Sequence, residues 1–312
     1  MPAFGSLLPS LGEAPSAEAL VAFAVRMEEL GYEYLMAGDH IALPLRQESR
    51  YHGGSTGKAA FTSEHEIYEA VTLLSHLSGV TTRARLGLAV QVLPCRNPVL
   101  NAKQLTTLDV LSKGRLVLGV GTGWCTEEFA ALGADFEARE SISDEQLAIF
   151  KLACTGEELR FAGEHYQLEG TRVLPLPVQR PHPPILAGGI SRRARRRAAL
   201  LADGWYPIRL EPGEIAERLR GILAEREEAG LPTDPYRVTM GIPIQFGDEP
   251  LPPNFRVALH GSPGAMQEQV GAYVEAGVQV FVLRSTAADA ERALEDMERF
   301  ARDVVTSLRP TA

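Results

Sequence analysis

Two hydrophobic periods alternate along this chain. Short apolar runs, as expected of strands buried on both faces, take turns with longer stretches whose apolar positions recur every three or four residues. The clearest unit spans 83–124. It holds one apolar run through Leu86–Leu93, an amphipathic stretch from Val99 to Ser112, and a second run through Leu116–Val120 that ends in Gly121-Thr122-Gly123-Trp124. Strand, helix, strand of this kind makes a parallel βαβ unit. Small residues at the end of a parallel strand leave the backbone open to a ligand, because no Cβ stands in the way.

The alternation continues on both sides. Strands are predicted at Phe4–Leu8, Tyr34–Ala37, Ile185–Ala187, Gly204–Ile208, Tyr236–Phe246 and Val278–Leu283, which with the central pair makes eight. Helices are predicted over Ser16–Gly31, Glu66–Val80, Glu127–Leu132, Asp144–Ala153, Ser191–Ala202, Glu214–Glu228, Ser262–Gly277 and Ala287–Leu308. Residues 41–64 read as a long loop after the second strand, and the proline-rich 156–184 as an excursion outside the repeating pattern. With no linker or repeat, residues 1–312 are expected to form one α/β domain, a (β/α)8 TIM barrel with an insertion after strand 4. An open doubly wound sheet is the rival arrangement.

Composition narrows the function classes. A net charge of −9 argues against nucleic acid or an anionic membrane as partner. Three cysteines without CxxC spacing argue against a disulfide framework and for a reducing, cytoplasmic setting. No basic segment leading into an apolar one opens the chain, and no run approaches the ~18 apolar residues of a membrane span. The histidines lack metal-ligand spacing, so no metal site is expected.

In a barrel the chemistry belongs at the C-terminal ends of the strands. Asp39-His40 follows strand two, Ala89-Val90-Gln91 ends strand three, and Gly121-Thr122-Gly123-Trp124 follows strand four. Gly188-Gly189-Ile190-Ser191 follows strand five, and Trp205-Tyr206 lies on strand six. Asp109, Ser112 and Arg115 precede strand four and face the other end, where they would tie helix to barrel. Gly119-Val120-Gly121-Thr122-Gly123 is no dinucleotide fingerprint, since Trp124 stands where GxGxxG needs glycine. These glycines serve either close packing or the approach of a flat ring. Gly188–Ser191 opens a helix, where free N–H groups suit a phosphate, although Ser191 alone reads as an N-cap. Arginines crowd the same turn, either facing an anion or forming a solvated face. His40 beside Asp39 is the candidate proton-transfer group.

Three blocks together resemble one family: Glu29 to His40, Leu86 to Trp124, and Pro177 to Trp205 with its Gly188-Gly189 and Ala202-Asp203-Gly204-Trp205. This is the bacterial luciferase-like monooxygenase superfamily, and the Asp-His pair and central block resemble its coenzyme F-420-dependent oxidoreductase branch. The resemblance implies the (β/α)8 barrel with an insertion after strand four and an isoalloxazine-like ring across its mouth. Asp39 and His40 would lie beside the ring, with His40 catalytic. Ala89–Val90 would be a cis peptide bulging behind it. Gly121, Thr122 and Gly123 would pass close to the cofactor, and Gly188, Gly189, Ile190 and Ser191 would hold its phosphate. Sugar-phosphate dehydrogenases of that branch carry a tryptophan shortly after Asp-His and an acidic residue after Gly-Thr-Gly; here Pro44 and Trp124 occupy those places. A less polar substrate against Trp124 and Trp205 is expected instead.

The expectation is thus a cytoplasmic oxidoreductase that uses reduced deazaflavin coenzyme F-420 for hydride transfer to a small organic molecule. The alternatives are an FMN-dependent monooxygenase using reduced flavin and O2, and a cofactor-binding barrel without catalysis. The expected partners are a small-molecule substrate and, in a homodimer, a second copy of the chain, with no nucleic acid and no membrane.

Overall fold

The computed structural model describes residues 1–12, 15–51, 57–59, 61–287 and 289–308. Eight parallel strands form the barrel: β1 (Ala3–Leu7), β2 (Tyr34–Ala37), β3 (Arg85–Val92), β4 (Leu116–Gly121), β5 (Ile185–Gly188), β6 (Gly204–Tyr206), β7 (Arg237–Phe246) and β8 (Val280–Ser285). β1 to β6 neighbour one another in chain order, and β8 lies between β1 and β7. Closure comes from β6 on β7, with Gly204 opposite Arg237 and Trp205 opposite Val238. That contact excludes the open sheet. Gly204 permits the approach, because a Cβ there would stand 2.3 Å from the Arg237 carbonyl oxygen.

The helices follow the strands around the outside. They are α1 (Ala17–Glu29), α2 (Ala70–Ser78), α3 (Pro98–Leu111), α4 (Thr126–Ala131), α5 (Arg139–Ala153), α6 (Arg192–Leu201), α7 (Pro212–Glu228), α8 (Pro263–Glu275) and α9 (Ala290–Phe300). Their starts are chemically marked. Ser16, Asn97, Ser191, Ser262 and Asp289 each cap a helix through a side-chain oxygen. α2 starts four residues later than its apolar pattern suggests, because the Glu69 side chain caps it by accepting from the Thr72 N–H. The displaced Glu66–Ile67 instead pairs antiparallel with Leu11–Gly12. In the 156–184 excursion, Leu159–Ala162 and Gln167–Thr171 form a two-stranded hairpin that, among the described residues, pairs only with itself. Glu145 on α5 seats its turn by accepting from the N–H groups of Glu164, His165 and Tyr166.

Strand alternation divides the core. Met36, Val117, Leu186, Tyr206, Val280 and Val282 fill the barrel interior. The intervening positions, among them Leu35, Leu118, Ala187, Trp205 and Phe281, join the larger core between barrel and helices. At the N-terminal end, Asp109 accepts from the Gln179 backbone and side chain, and the Arg115 guanidinium binds the carbonyls of Ser78, Thr81 and Ala84. These are the ties expected of that face.

Glu28 makes another such tie. Its carboxylate accepts from the N–H groups of Thr82, Arg83 and Ala84 at the entrance to β3. Burial opposes the charge, but these bonds win and lower its pKa to about 2. A depressed carboxylate pKa stabilises the fold above the unfolded-state value and loses that effect as pH falls through the folded one. Glu28→Gln should cost about 1 kcal/mol at pH 7 after solvent screening. Chemical unfolding at stepped pH should show the gap narrowing below ~4.5; a pH-independent gap would contradict this role.

Candidate active site

At the C-terminal mouth of the barrel, His40 stands just beyond β2. Its Nδ1 lies 2.8 Å from Glu128 Oε2, and both side chains are buried. Glu128 also accepts from the backbone N–H groups of Ile41 at 2.6 Å and Ala42 at 3.1 Å. Burial alone would raise the Glu128 pKa; the His40 bond and these two N–H groups outweigh it and hold the carboxyl below its ordinary value. An ionised carboxylate only accepts, so Nδ1 of His40 carries the hydrogen. Nε2 is then the atom left for chemistry, and it has no hydrogen-bond partner among the described residues. Phe61 and Trp124 confine the imidazole, with ring centroids 4.9 and 5.7 Å away.

The sequence reading missed Glu128. The two residues lie 88 positions apart, and the only local signal is a Glu127-Glu128 pair in the first turn of α4. Both glutamates pin the loop after β2. Glu127 accepts from the N–H groups of Glu48 and Ser49 at 2.6 and 2.9 Å. His52, in the same loop, lies outside the described residues.

Asp39 lies behind His40. Its carboxylate takes both arms of the Arg96 guanidinium, at 2.7 and 2.8 Å, and the Val92 N–H at 2.8 Å. Arg96 also reaches Glu69 at the start of α2. Asp39 therefore locks the end of β2 to the end of β3. There the Ala89–Val90 peptide is cis. Leu88 faces Leu118 while Gln91 faces Val120, so three steps on β3 oppose two on β4, a bulge. Gln91 turns outward and exchanges amide hydrogen bonds with Asn101 on α3.

The bulge explains the bare strand ends. A Cβ on Gly121 would stand 2.7 Å from Val90 Cγ2, and one on Gly188 would stand 3.1 Å from Val90 Cγ1. Close packing under Val90 is therefore reason enough for both glycines. The Val90 side chain is what this floor presents to the mouth. Thr122 bonds Glu140 on α5 at 3.3 Å, and Gly123 takes a positive φ of 80° beside Phe129.

Gly188-Gly189-Ile190-Ser191 forms the turn from β5 into α6. Ser191 caps the helix by accepting from the Ala194 N–H at 3.1 Å. The five arginines here divide. Arg197 points inward and pairs with Glu140 and Asp144 on α5. Arg196 pairs with Glu225 on α7. Arg195 keeps a buried Nε without an acceptor among the described residues. Gly189 has φ 102°, and a Cβ there would meet Ala194 at 2.9 Å, so any side chain at this position strains the turn whatever binds.

Trp205 is not a pocket residue. It is fully buried in the core outside the barrel, and its indole N–H donates to the Gly189 carbonyl at 2.8 Å. A three-residue strand does not reveal its own phase, and here the phase turns Trp205 outward and Tyr206 inward. Trp124 does line the mouth, 4.8 Å from the Tyr51 ring. All three cysteines are free. Burial raises Cys95 and Cys154 to about 12 and Cys125 to about 11, so each remains a thiol at neutral pH.

Comparison with known proteins agrees with this architecture. Residues 3–250 match the luciferase-like monooxygenase family, and the chain belongs to it. An uncharacterized protein of Mycobacterium tuberculosis is 36% identical over 218 residues, covering 70% of this chain and 74% of that protein. The FMNH(2)-dependent dimethylsulfone monooxygenase of Pseudomonas putida is 35% identical over 142 residues, covering 45% of this chain and 39% of that protein. Among solved structures, an F420-dependent secondary alcohol dehydrogenase in complex with an F420-acetone adduct superposes with a TM-score of 0.78. It is 16% identical, and the match covers 99% of each chain. No helix among the described residues is long and apolar enough to cross a membrane.

Removing Glu128 should free the chain beyond His40. Glu128→Ala is expected to cost about 2–4 kcal/mol, because a buried partner and two buried N–H groups lose their acceptor. Hydrogen exchange at Ile41 and Ala42 should accelerate at least tenfold. Unchanged protection there would mean that the carboxylate does not hold this segment.

Proposed function

We propose that this member of the luciferase-like family is a deazaflavin-dependent oxidoreductase, with His40 Nε2 as its proton-transferring atom. The observation that carries the reading is the buried His40–Glu128 pair at 2.8 Å at the mouth of the barrel. The residues present fit a phosphorylated, ring-bearing cofactor. The turn before α6 offers backbone N–H groups at a helix N-terminus, and the Arg195 Nε in that first turn is a buried donor without a partner among the described residues. The Val90 side chain, set forward by the bulge and seated against Gly121 and Gly188, gives an apolar surface for a flat ring.

Reduced coenzyme F-420, when bound, supplies a hydride for an electrophilic carbon or imine. This chain does the rest. Gly188 to Ser191 and Arg195 hold the phosphate end. Val90 sets the depth of the ring, and the Asp39–Arg96 clamp keeps Val90 and His40 on a common frame. Tyr51, Phe61 and Trp124 exclude water from the imidazole. Glu128 holds the Nδ1–H tautomer, so Nε2 can take or give the proton that accompanies hydride transfer.

One observation favours a second reading. The similarity to the Pseudomonas putida FMNH(2)-dependent enzyme supports a monooxygenase using reduced FMN and O2. Side-by-side titrations separate the two. F-420 should bind at least about tenfold tighter than FMN, a difference of ~1.4 kcal/mol. Equal or reversed affinities would replace the deazaflavin reading with the monooxygenase. His40→Asn should lower turnover by about 10²-fold or more while leaving F-420 affinity within about threefold. Full turnover in that variant would remove His40 from the mechanism; absence of turnover in the parent protein with either cofactor and a panel of carbonyl and imine substrates would favour a cofactor-holding barrel.

A further inference from the structure

The opposite side of the barrel mouth carries a charge that the reading above does not use. Val280 and Val282 of β8 point into the barrel, and Arg284 follows them on the same face. Its side chain remains open to solvent yet is surrounded by protein. Burial pulls its pKa down, with the phenols of Tyr51 and Tyr206 close enough to act in the opposite direction. The guanidinium carbon lies 5.0 Å from the Phe255 ring centroid. Arg284 forms no ion pair among the described residues. Instead it faces like charge, because Arg209, just beyond β6, lies within its field, as does Arg256 within that of Arg209. Arg256 pairs with Glu214 at 3.7 Å.

Below Arg284 sits a second donor. Tyr206 is 5% exposed and points into the barrel, and its hydroxyl has no hydrogen-bond partner among the described residues. The hydroxyl lies over Gly241, where an added Cβ would stand 3.1 Å from it. Gly241 pairs with Val282 and Pro243 with Arg284, so the phenol lies one inward step beneath the guanidinium. Burial raises the Tyr206 pKa, which keeps the hydroxyl protonated and able to donate. A cation that faces a like charge without a counter-ion lies above a hydroxyl that has no acceptor among the described residues and is not sealed from the mouth; one anion can take both donors.

We propose that Arg284 and Tyr206 form an anion-binding subsite, and that the substrate is an amphipathic organic anion, a carboxylate or sulfonate with an apolar body. The aromatic wall supplies the place for that body. Tyr51, near Arg284, packs tilted against Trp124 with ring centroids 4.8 Å apart, and Trp124 meets His40 edge-on at 5.7 Å. The anion is thus held at one end of a ring-lined path and the reacting atom delivered to His40 at the other. Assigning the anion to the substrate rests on the function proposed above; the subsite does not. The cofactor phosphate, with the same chemistry, has its own turn before α6.

Calorimetric titration of the full chain with hexanesulfonate, with 1-hexanol as the uncharged control, tests this at low ionic strength. The sulfonate should bind at least about tenfold tighter than the alcohol. Arg284→Gln should abolish that preference, Tyr206→Phe should weaken sulfonate binding by about three- to tenfold, and FMN and F-420 affinities should stay within about twofold. The melting temperature of Arg284→Gln should hold or rise, because a repelled charge is removed. Should that variant not fold, Arg284→Lys should keep the preference for sulfonate with weakened affinity, since charge remains without the bidentate fork. Parent protein that does not distinguish sulfonate from alcohol, or an Arg284→Gln variant that retains the preference, overturns the subsite. Loss of flavin and deazaflavin affinity with sulfonate binding intact assigns Arg284 to the cofactor phosphate and also overturns it. Sulfonate preference in a protein that binds neither cofactor leaves the subsite standing and removes the function proposed above.

Discussion

The mouth of the barrel is organised around one buried ion pair, Asp39 with Arg96. The Asp39 carboxylate takes two guanidinium bonds and the Val92 N–H, while Arg96 reaches on to Glu69 at the cap of α2. A pair so buried contributes little net stability over an apolar equivalent, but removal of either partner strands a charge. Its use here is positional. It joins the strand that delivers His40 to the strand that bulges at Ala89–Val90. Every other site element is set against those two ends: Glu128 against His40, and Gly121 and Gly188 against Val90.

The two sides of the mouth do different electrostatic work. Around His40 the charges are internally satisfied, with Glu128 and Glu127 absorbing backbone N–H groups and holding the loop after β2 in place. Around Arg284 they are not: Arg284 has no ion pair among the described residues, and Arg209 acts on it as a like charge. A site with one closed and one open account of charge is asymmetric toward its ligand. It fixes the buried His40 imidazole at one end and leaves an arginine without an ion pair among the described residues at the other.

The fold was legible in the sequence because a parallel barrel writes its strands as apolar runs and its helices as amphipathic stretches. Caps such as Ser191 and Ser262-Pro263 mark boundaries on their own. Where a side chain rather than a pattern set the boundary, the reading slipped, as at Glu69 and α2. The site was legible only in part. Strand ends locate Asp39, His40 and Val90, but Glu128 meets His40 across 88 positions and leaves no local trace. Trp205 was misplaced because three residues cannot declare which way they face. Gly121 and Gly188 looked bare for a ligand, whereas Val90 fills the space above them, a contact between strands that no spacing encodes. Arg284 sits at the end of an apolar run whose phase only the closed barrel reveals.

The most direct test of the account is a crystal structure of the chain with coenzyme F-420 bound. The ring should lie against the Val90 side chain, with His40 Nε2 facing the reactive edge, Nδ1 still on Glu128, and the phosphate at the N–H groups of the turn before α6. A ring bound away from Val90, or a His40 that turns Nε2 from the mouth to meet Glu128, would contradict it.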